Sequence, residues 1–189
     1  MNETSIIISG FGGQGALFAG QMLGYTAMDA GRKVTWIPSY GPEMRGGTAH
    51  CTVIISHSDI SSPLVSNPDV AVLMNLPSLD KYEPLTKQNG VIIANSSLIN
   101  RELERDDINS LLVPANQIAE DLGYVRLANM VLIGSMIYLV PVVTLEMIRN
   151  ALLTHVPDRH KALIQLNIKA IENGFALAEK SCLVSKYSN

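Results

Sequence analysis

The chain has 189 residues, of which 47% are apolar and 16% charged, with a net charge of −3 at neutral pH. That length suits one domain spanning residues 1–189, and a charged fraction below the usual value of about a quarter leaves apolar surface for a partner subunit. Slight acidity without a basic block argues against a nucleic-acid partner, and two distant cysteines, Cys51 and Cys182, provide neither a disulfide framework nor the four thiolates of a [4Fe–4S] cluster.

The apolar run Ile6-Ile7-Ile8 breaks at once into glycines, so it reads as a strand over Ser5–Ser9 and not as a leader peptide. A helix is expected from Gln14 to Ala30, stopped by Gly31. Lys33–Ile37 is a second strand ended by Pro38, and Ser39–Thr48 a polar, glycine-rich loop. Ala49–Ser56, Val70–Met74 and Gly90–Ala94 follow as strands, with Ser110–Val113 a short sixth. Because Ser39–Thr48 joins two strands without a helix, one strand pair there is open to an antiparallel or mixed arrangement. After Pro114 the chain turns helical: Ala115–Leu122, Asn129–Leu139, Leu145–Leu153 and His160–Lys180. The segment NMVLIGSMIYLV from Asn129 is apolar nearly all round, which points to a helix inside the core or at a subunit interface. Its apolar stretch is too short for a membrane span, and a cytoplasmic protein is expected. The pattern predicts an α/β fold: a Rossmann-like three-layer sandwich with a mostly parallel sheet and a helical C-terminal part.

Two stretches carry chemistry. Gly10, Gly12 and Gly15 form a literal G-x-G-x-x-G between the first strand and the first helix. A helix start has unpartnered N–H groups and the positive dipole end, so a phosphate or carboxylate suits Gly12, Gly13, Gln14 and Gly15. A dinucleotide would also need an acid near the end of the second strand. Lys33–Ile37 offers none: Asp29 comes too early and Glu43 too late. The second stretch, SYGPEMRGGTAHC, gathers Ser39, Tyr40, Glu43 and Arg45 among glycines where α/β sheets place ligands. Arg45 either forks onto an anion or pairs with Glu43. His50 and Cys51 read as buried strand residues, His155 and His160 as exposed loop residues, and Glu102–Asp107 as a solvated charge run.

GFGGQG after an apolar strand, followed by SYGPEMRGGTAHCTVIIS, closely resembles the gamma subunit of 2-oxoacid:ferredoxin oxidoreductases, a module that also forms an internal domain of single-chain pyruvate:ferredoxin oxidoreductases. The R-G-G form with T-A-x-C resembles the 2-oxoglutarate or branched-chain group. The resemblance implies a non-autonomous subunit of an enzyme that converts a 2-oxoacid to acyl-CoA and passes electrons to ferredoxin. Thiamine diphosphate, magnesium and iron–sulfur clusters are then expected on partner subunits, consistent with the absence here of a G-D-G mark. Coenzyme A is the ligand expected on this chain, at Gly12, Gly13, Gln14, Gly15, Ser39, Tyr40, Glu43, Arg45, Gly46 and Gly47. No catalytic residue and no metal ligand is implied, and an isolated chain is expected to self-associate as a homodimer. Two readings from other classes stay open: a purely structural assembly subunit, and an autonomous nucleotide-binding enzyme.

Overall fold

The first strand, β1 (Glu3–Phe11), is buried from Thr4 to Gly10, and everything else is arranged around it. The computed structural model describes residues 3–39 and 48–187, with side chains to residue 182. Helix α1 (Ala16–Asp29) follows, and ends where Gly31 and Arg32 donate to Met28 and Ala27 carbonyls, the double bond of a Schellman stop. Strands β2 (Lys33–Ser39), β3 (Thr48–Ser56), β4 (Val70–Leu73), β5 (Val91–Asn95) and β6 (Asn109–Val113) complete one sheet ordered β2-β3-β1-β4-β5-β6.

The pairings β1–β4, β4–β5 and β5–β6 are parallel, while β3 runs antiparallel to both β1 and β2. The mostly parallel α/β sheet read from sequence is therefore present, with β3 wedged between two strands that run the same way. Strand β2 passes through Pro38, which the sequence reading took as its end. An edge strand tolerates proline because one side of its backbone has no ladder to lose.

The faces of the sheet are covered unequally. Even-numbered β1 residues Ile6 and Ile8, with Cys51, Val53, Val72 and Ile93, pack under α1, α3 (Ala115–Asp121), α4 (Ala128–Leu139), α5 (Leu145–His155) and α6 (Ile164–Tyr187). On the other face Ile7, Ala71, Leu73, Ile92 and Ala94 meet the short helix α2 (Leu76–Tyr82), which the sequence reading did not find. Its signal was present: Asn75 caps it by accepting from the Ser78 N–H at 3.0 Å, with Pro77 in the first turn. Helix α6 begins at Ile164, after a 3₁₀ turn over Asp158–Leu163, and not at His160.

Helix α4 settles the choice posed by its apolar surface. Nine consecutive residues, Asn129–Ile137, are buried, against the sheet, α3 and α6. It lies so close to α6 that a Cβ on Gly134 would fall on the Ile171 backbone, and one on Gly174 on the Val131 backbone. The Ser135 hydroxyl bridges the two helices, donating to the Gly174 carbonyl at 2.8 Å.

Two further expectations change. His155 is half-buried, stacked on Tyr25 with centroids 4.3 Å apart and 2.8 Å from the Asp29 carboxylate. The charge run is not simply solvated: Arg105 pairs with Asp107 at 2.6 Å and donates to the Glu83 carbonyl at 3.1 Å, tying this segment to the end of α2.

The entry into β4 is held by Asp69, whose carboxylate accepts from the Ser5 N–H at 2.8 Å, its hydroxyl at 2.5 Å and Lys87 at 2.6 Å. Burial works against its ionisation, but Lys87 and Ser5 outweigh it and hold the carboxyl below its usual range. A depressed carboxylate contributes stability above its unfolded pKa, and loses it as pH falls through the folded one. Asp69→Asn is therefore expected to be less stable than the wild type at pH 7 and to converge with it once pH has fallen through the lowered carboxyl pKa, in urea unfolding at each pH. In an exposed helix Gly→Ala stabilises by about 1 kcal/mol. Gly134→Ala and Gly174→Ala are expected to do the opposite, destabilising by about 1–3 kcal/mol through overpacking.

Candidate functional site

The site follows from where the chain goes after β1 and β4. Helix α1 continues from β1 onto one face of the sheet, and α2 continues from the adjacent, parallel β4 onto the other. The two connections part at the carboxyl ends of these strands, which opens a crevice between them, the usual ligand position in such sheets.

The turn into α1 is held open by Gln14. Its Oε1 accepts from the Phe11 N–H at 2.6 Å and from the Asn75 amide at 2.9 Å, while its own N–H donates to the Phe11 carbonyl at 3.1 Å. The chain then enters the helix through Gly15 at φ +80°, a left-handed conformation that costs other residues about 1–2 kcal/mol. No side chain caps α1 and no acid lies in its first turn, so its first N–H groups have no side-chain acceptor.

Three asparagines frame the opening. Asn95, at the end of β5, donates to the Met74 carbonyl at 3.2 Å and to Asn116 at 2.8 Å, and caps α3 by accepting from Ala115 N–H at 3.2 Å. Asn129, at the start of α4, donates to the Gly15 carbonyl at 3.1 Å. The resulting crevice has a volume of about 200 Å³ and is lined by Gly13, Gln14, Asn95, Asn116, Asn129 and Arg126, with apolar Met74, Val125 and Leu132. A second hollow of about 220 Å³ shares Gly13, Arg126 and Asn129 and runs beside Gly15 to Phe18, Tyr124, His160 and Leu163. Among the described residues no carboxylate lines either hollow, and Arg126 has no ion pair there. The combination of an uncapped helix start, a guanidinium and neutral amides suits an anion attached to a partly apolar body.

The residues singled out from sequence are only partly brought together. Gly13, Gln14 and Gly15 line the hollows, whereas Gly12 is exposed in the turn and lines neither. Ser39 pairs with His50, which pairs with Ser9, so it sits two strands from β1 at the same end of the sheet. Tyr40, Glu43, Arg45, Gly46 and Gly47 lie outside the described residues. Asn95, Asn116, Asn129 and Arg126 were missed, though Asn75 and Asn95 each directly follow an apolar strand run, where a crevice residue belongs.

The Cys51 thiol and the His50 imidazole line neither hollow. Cys51 is fully buried behind the start of α1, and burial pushes its thiol up to about 12. Burial and nearby Lys81 lower the pKa of His50, which packs at 5.7 Å against Tyr82. Among the described residues no three His, Cys, Asp or Glu side chains converge as metal ligands would, and no helix is long and apolar enough to cross a membrane.

A family model described as pyruvate ferredoxin/flavodoxin oxidoreductase matches residues 5–177. Ketoisovalerate oxidoreductase subunit VorA of Methanothermobacter marburgensis is 36% identical over 180 residues, covering 95% of this chain. The match spans only 37% of the VorA chain. 2-Oxoglutarate synthase subunit KorC of Methanocaldococcus jannaschii is 33% identical over 178 residues, covering 93% of this chain and 94% of that one. The gamma subunit of a keto/oxoacid ferredoxin oxidoreductase from Geobacter sulfurreducens PCA superposes with a TM-score of 0.81 at 32% identity, over 94% of this chain and 99% of that chain. A 2-oxoglutarate:ferredoxin oxidoreductase from Magnetococcus marinus, with 2-oxoglutarate, coenzyme A and succinyl-CoA bound, shares the fold at a TM-score of 0.85 and 20% identity, over 95% of this chain and 32% of that chain.

The clamp at Gln14 makes a direct test of the turn. Gln14→Ala removes the acceptor of two hydrogen bonds and is expected to destabilise by about 1–3 kcal/mol, while Gln14→Glu keeps a carbonyl-like oxygen there and loses less. Equal losses in thermal unfolding would show that the acceptor does not hold the turn.

Proposed function

Because the chain belongs to the pyruvate ferredoxin/flavodoxin oxidoreductase family, we propose that it is the gamma-type subunit of a 2-oxoacid:ferredoxin oxidoreductase and that it binds coenzyme A at the crevice beside α1. The observation that carries the ligand assignment is the uncapped start of α1 opening onto the same hollow as Arg126. Coenzyme A carries a pyrophosphate and a 3′-phosphate on a long, partly apolar body. Helix N–H groups and a guanidinium suit the phosphates, and the hollow past Phe18, Tyr124 and Leu163 suits the rest. The missing ribose-binding acid, which weakens a nicotinamide dinucleotide, is no obstacle to this ligand. Bound there, it would supply the thiol that accepts the acyl group. This chain would hold and orient it at the entrance to an active site built by other subunits.

Those subunits would carry thiamine diphosphate, magnesium and iron–sulfur clusters and deliver electrons to ferredoxin, in the cytoplasm. For the acid we favour 2-oxoglutarate, because the match to the 2-oxoglutarate synthase subunit KorC runs over 94% of that chain. Ketoisovalerate is the second reading, supported by the 36% identity to VorA.

In the assembled enzyme, Arg126→Ala is expected to raise the apparent KM for coenzyme A about tenfold, one charge-assisted hydrogen bond in free energy, with the KM for the 2-oxoacid little changed. Arg45→Ala tests in the same assay the anion role given to that residue. Normal assembly with unchanged coenzyme A dependence in Arg126→Ala would remove the ligand from this crevice and leave a structural subunit.

A further inference from the structure

Among the described residues, no helix packs on the half of one sheet face that β2 and β3 form. Helix α2 packs on β1 and β4, and its Tyr82 reaches His50 at its border. Beyond that border, the register places Thr35, Ile37 and Ser39 of β2 beside Ile54, Thr52 and His50 of β3, with Phe11 at the end of β1. Phe11 is 40% exposed and Ile37 is 37% exposed, Thr35, Ser39, His50 and Thr52 are half-buried, and Ile54 is buried. Lys33, at the far end and paired with Asp59, is the one formally charged side chain that β2 and β3 turn to this face. An antiparallel pair such as β2–β3 can leave one face to water, and such a face is then normally polar or charged, whereas Ile37 and Phe11 stand exposed here among neutral side chains.

We propose that this half-face, formed by Thr35, Ile37, His50, Thr52 and Phe11, is the docking surface for another subunit of the oxidoreductase, and the proposal rests on the family reading above. The occupant is the counterpart of the part of the VorA chains that this sequence does not match. In that relative the matching stretch is 37% of a longer polypeptide, so further chain is tethered directly to the equivalent domain. The chemistry of the surface fits a neutral protein segment with apolar and hydroxyl-bearing side chains, and not a nucleic acid or a charged peptide. Its position adds a second reason. Phe11 belongs to this face, and its N–H is held by Gln14, the clamp of the crevice turn. A subunit seated here meets the ligand crevice at the carboxyl end of β1.

The test uses the chain co-expressed and purified with its complex. Ile37→Asp and Thr52→Arg are expected to fold with wild-type circular dichroism yet carry about tenfold less partner, while Leu153→Asp, on exposed α5, keeps wild-type stoichiometry. Amide hydrogen exchange on the unmodified complex reads the same surface without a variant: peptides covering residues 33–39 and 48–53 are expected to gain protection against the free chain. Full partner retention by both variants, or no added protection, overturns the proposal and leaves the family reading intact. A wild-type chain that purifies with no thiamine diphosphate- or iron-bearing subunit overturns both. A homodimer broken by Thr52→Arg, with no other partner, gives the face to a second copy and overturns the proposal as stated.

Discussion

The near-contact of α4 and α6 is the constraint on which the rest of this structure depends. Gly134 and Gly174 let each helix backbone touch the other, and Ser135 ties them with a hydrogen bond. Helix α4 thereby lies deep enough to sit on the sheet while α6 covers it. That depth brings Asn129, at the first turn of α4, within 3.1 Å of the Gly15 carbonyl. The crevice wall is fixed by a helix crossing whose closest contacts are on neither β1 nor α1.

The second organising feature is the parting of α1 and α2 to opposite faces after two adjacent strands. It explains why the amides gather. The turns and helix starts at this edge leave backbone groups to satisfy: Asn95 and Asn129 do so with both ends of their side chains, while Asn75 accepts from the Ser78 N–H and donates to the Gln14 side chain. These bonds position the crevice without adding charge. Arg126 and the bare start of α1 then set its sign, and the absence of carboxylates among its described lining residues keeps that sign positive.

Much of the fold was legible in advance because burial on both faces writes continuous apolar runs. Ser5–Ser9, Val70–Met74 and Gly90–Ala94 read as strands and are strands, with boundaries displaced by at most two residues. Helix α2 was not found, since seven residues give too little periodicity to register, although its cap was visible in Asn75 and Pro77. Pro38 misled because a proline normally ends a strand, and only the order of strands shows that β2 is an edge. At the site, the glycine turn was legible from its spacing. Gln14 is an amide that a plain turn does not need, and its two accepted hydrogen bonds give the reason for it. Arg126 and the asparagines carried no local pattern, because the loops that present them are far apart in the chain.

By itself, the sequence determined the α/β class, the strand-turn-helix at Gly10–Gly15 and the family resemblance, since all three are written in short-range spacing. Only the tertiary structure decided that α4 is interior, that β3 is wedged between β1 and β2, and that α1 and α2 diverge to open a crevice. It also decided which half of one sheet face no described helix covers. Those features depend on contacts between residues distant in sequence, where burial and close approach, and not local propensity, set the outcome.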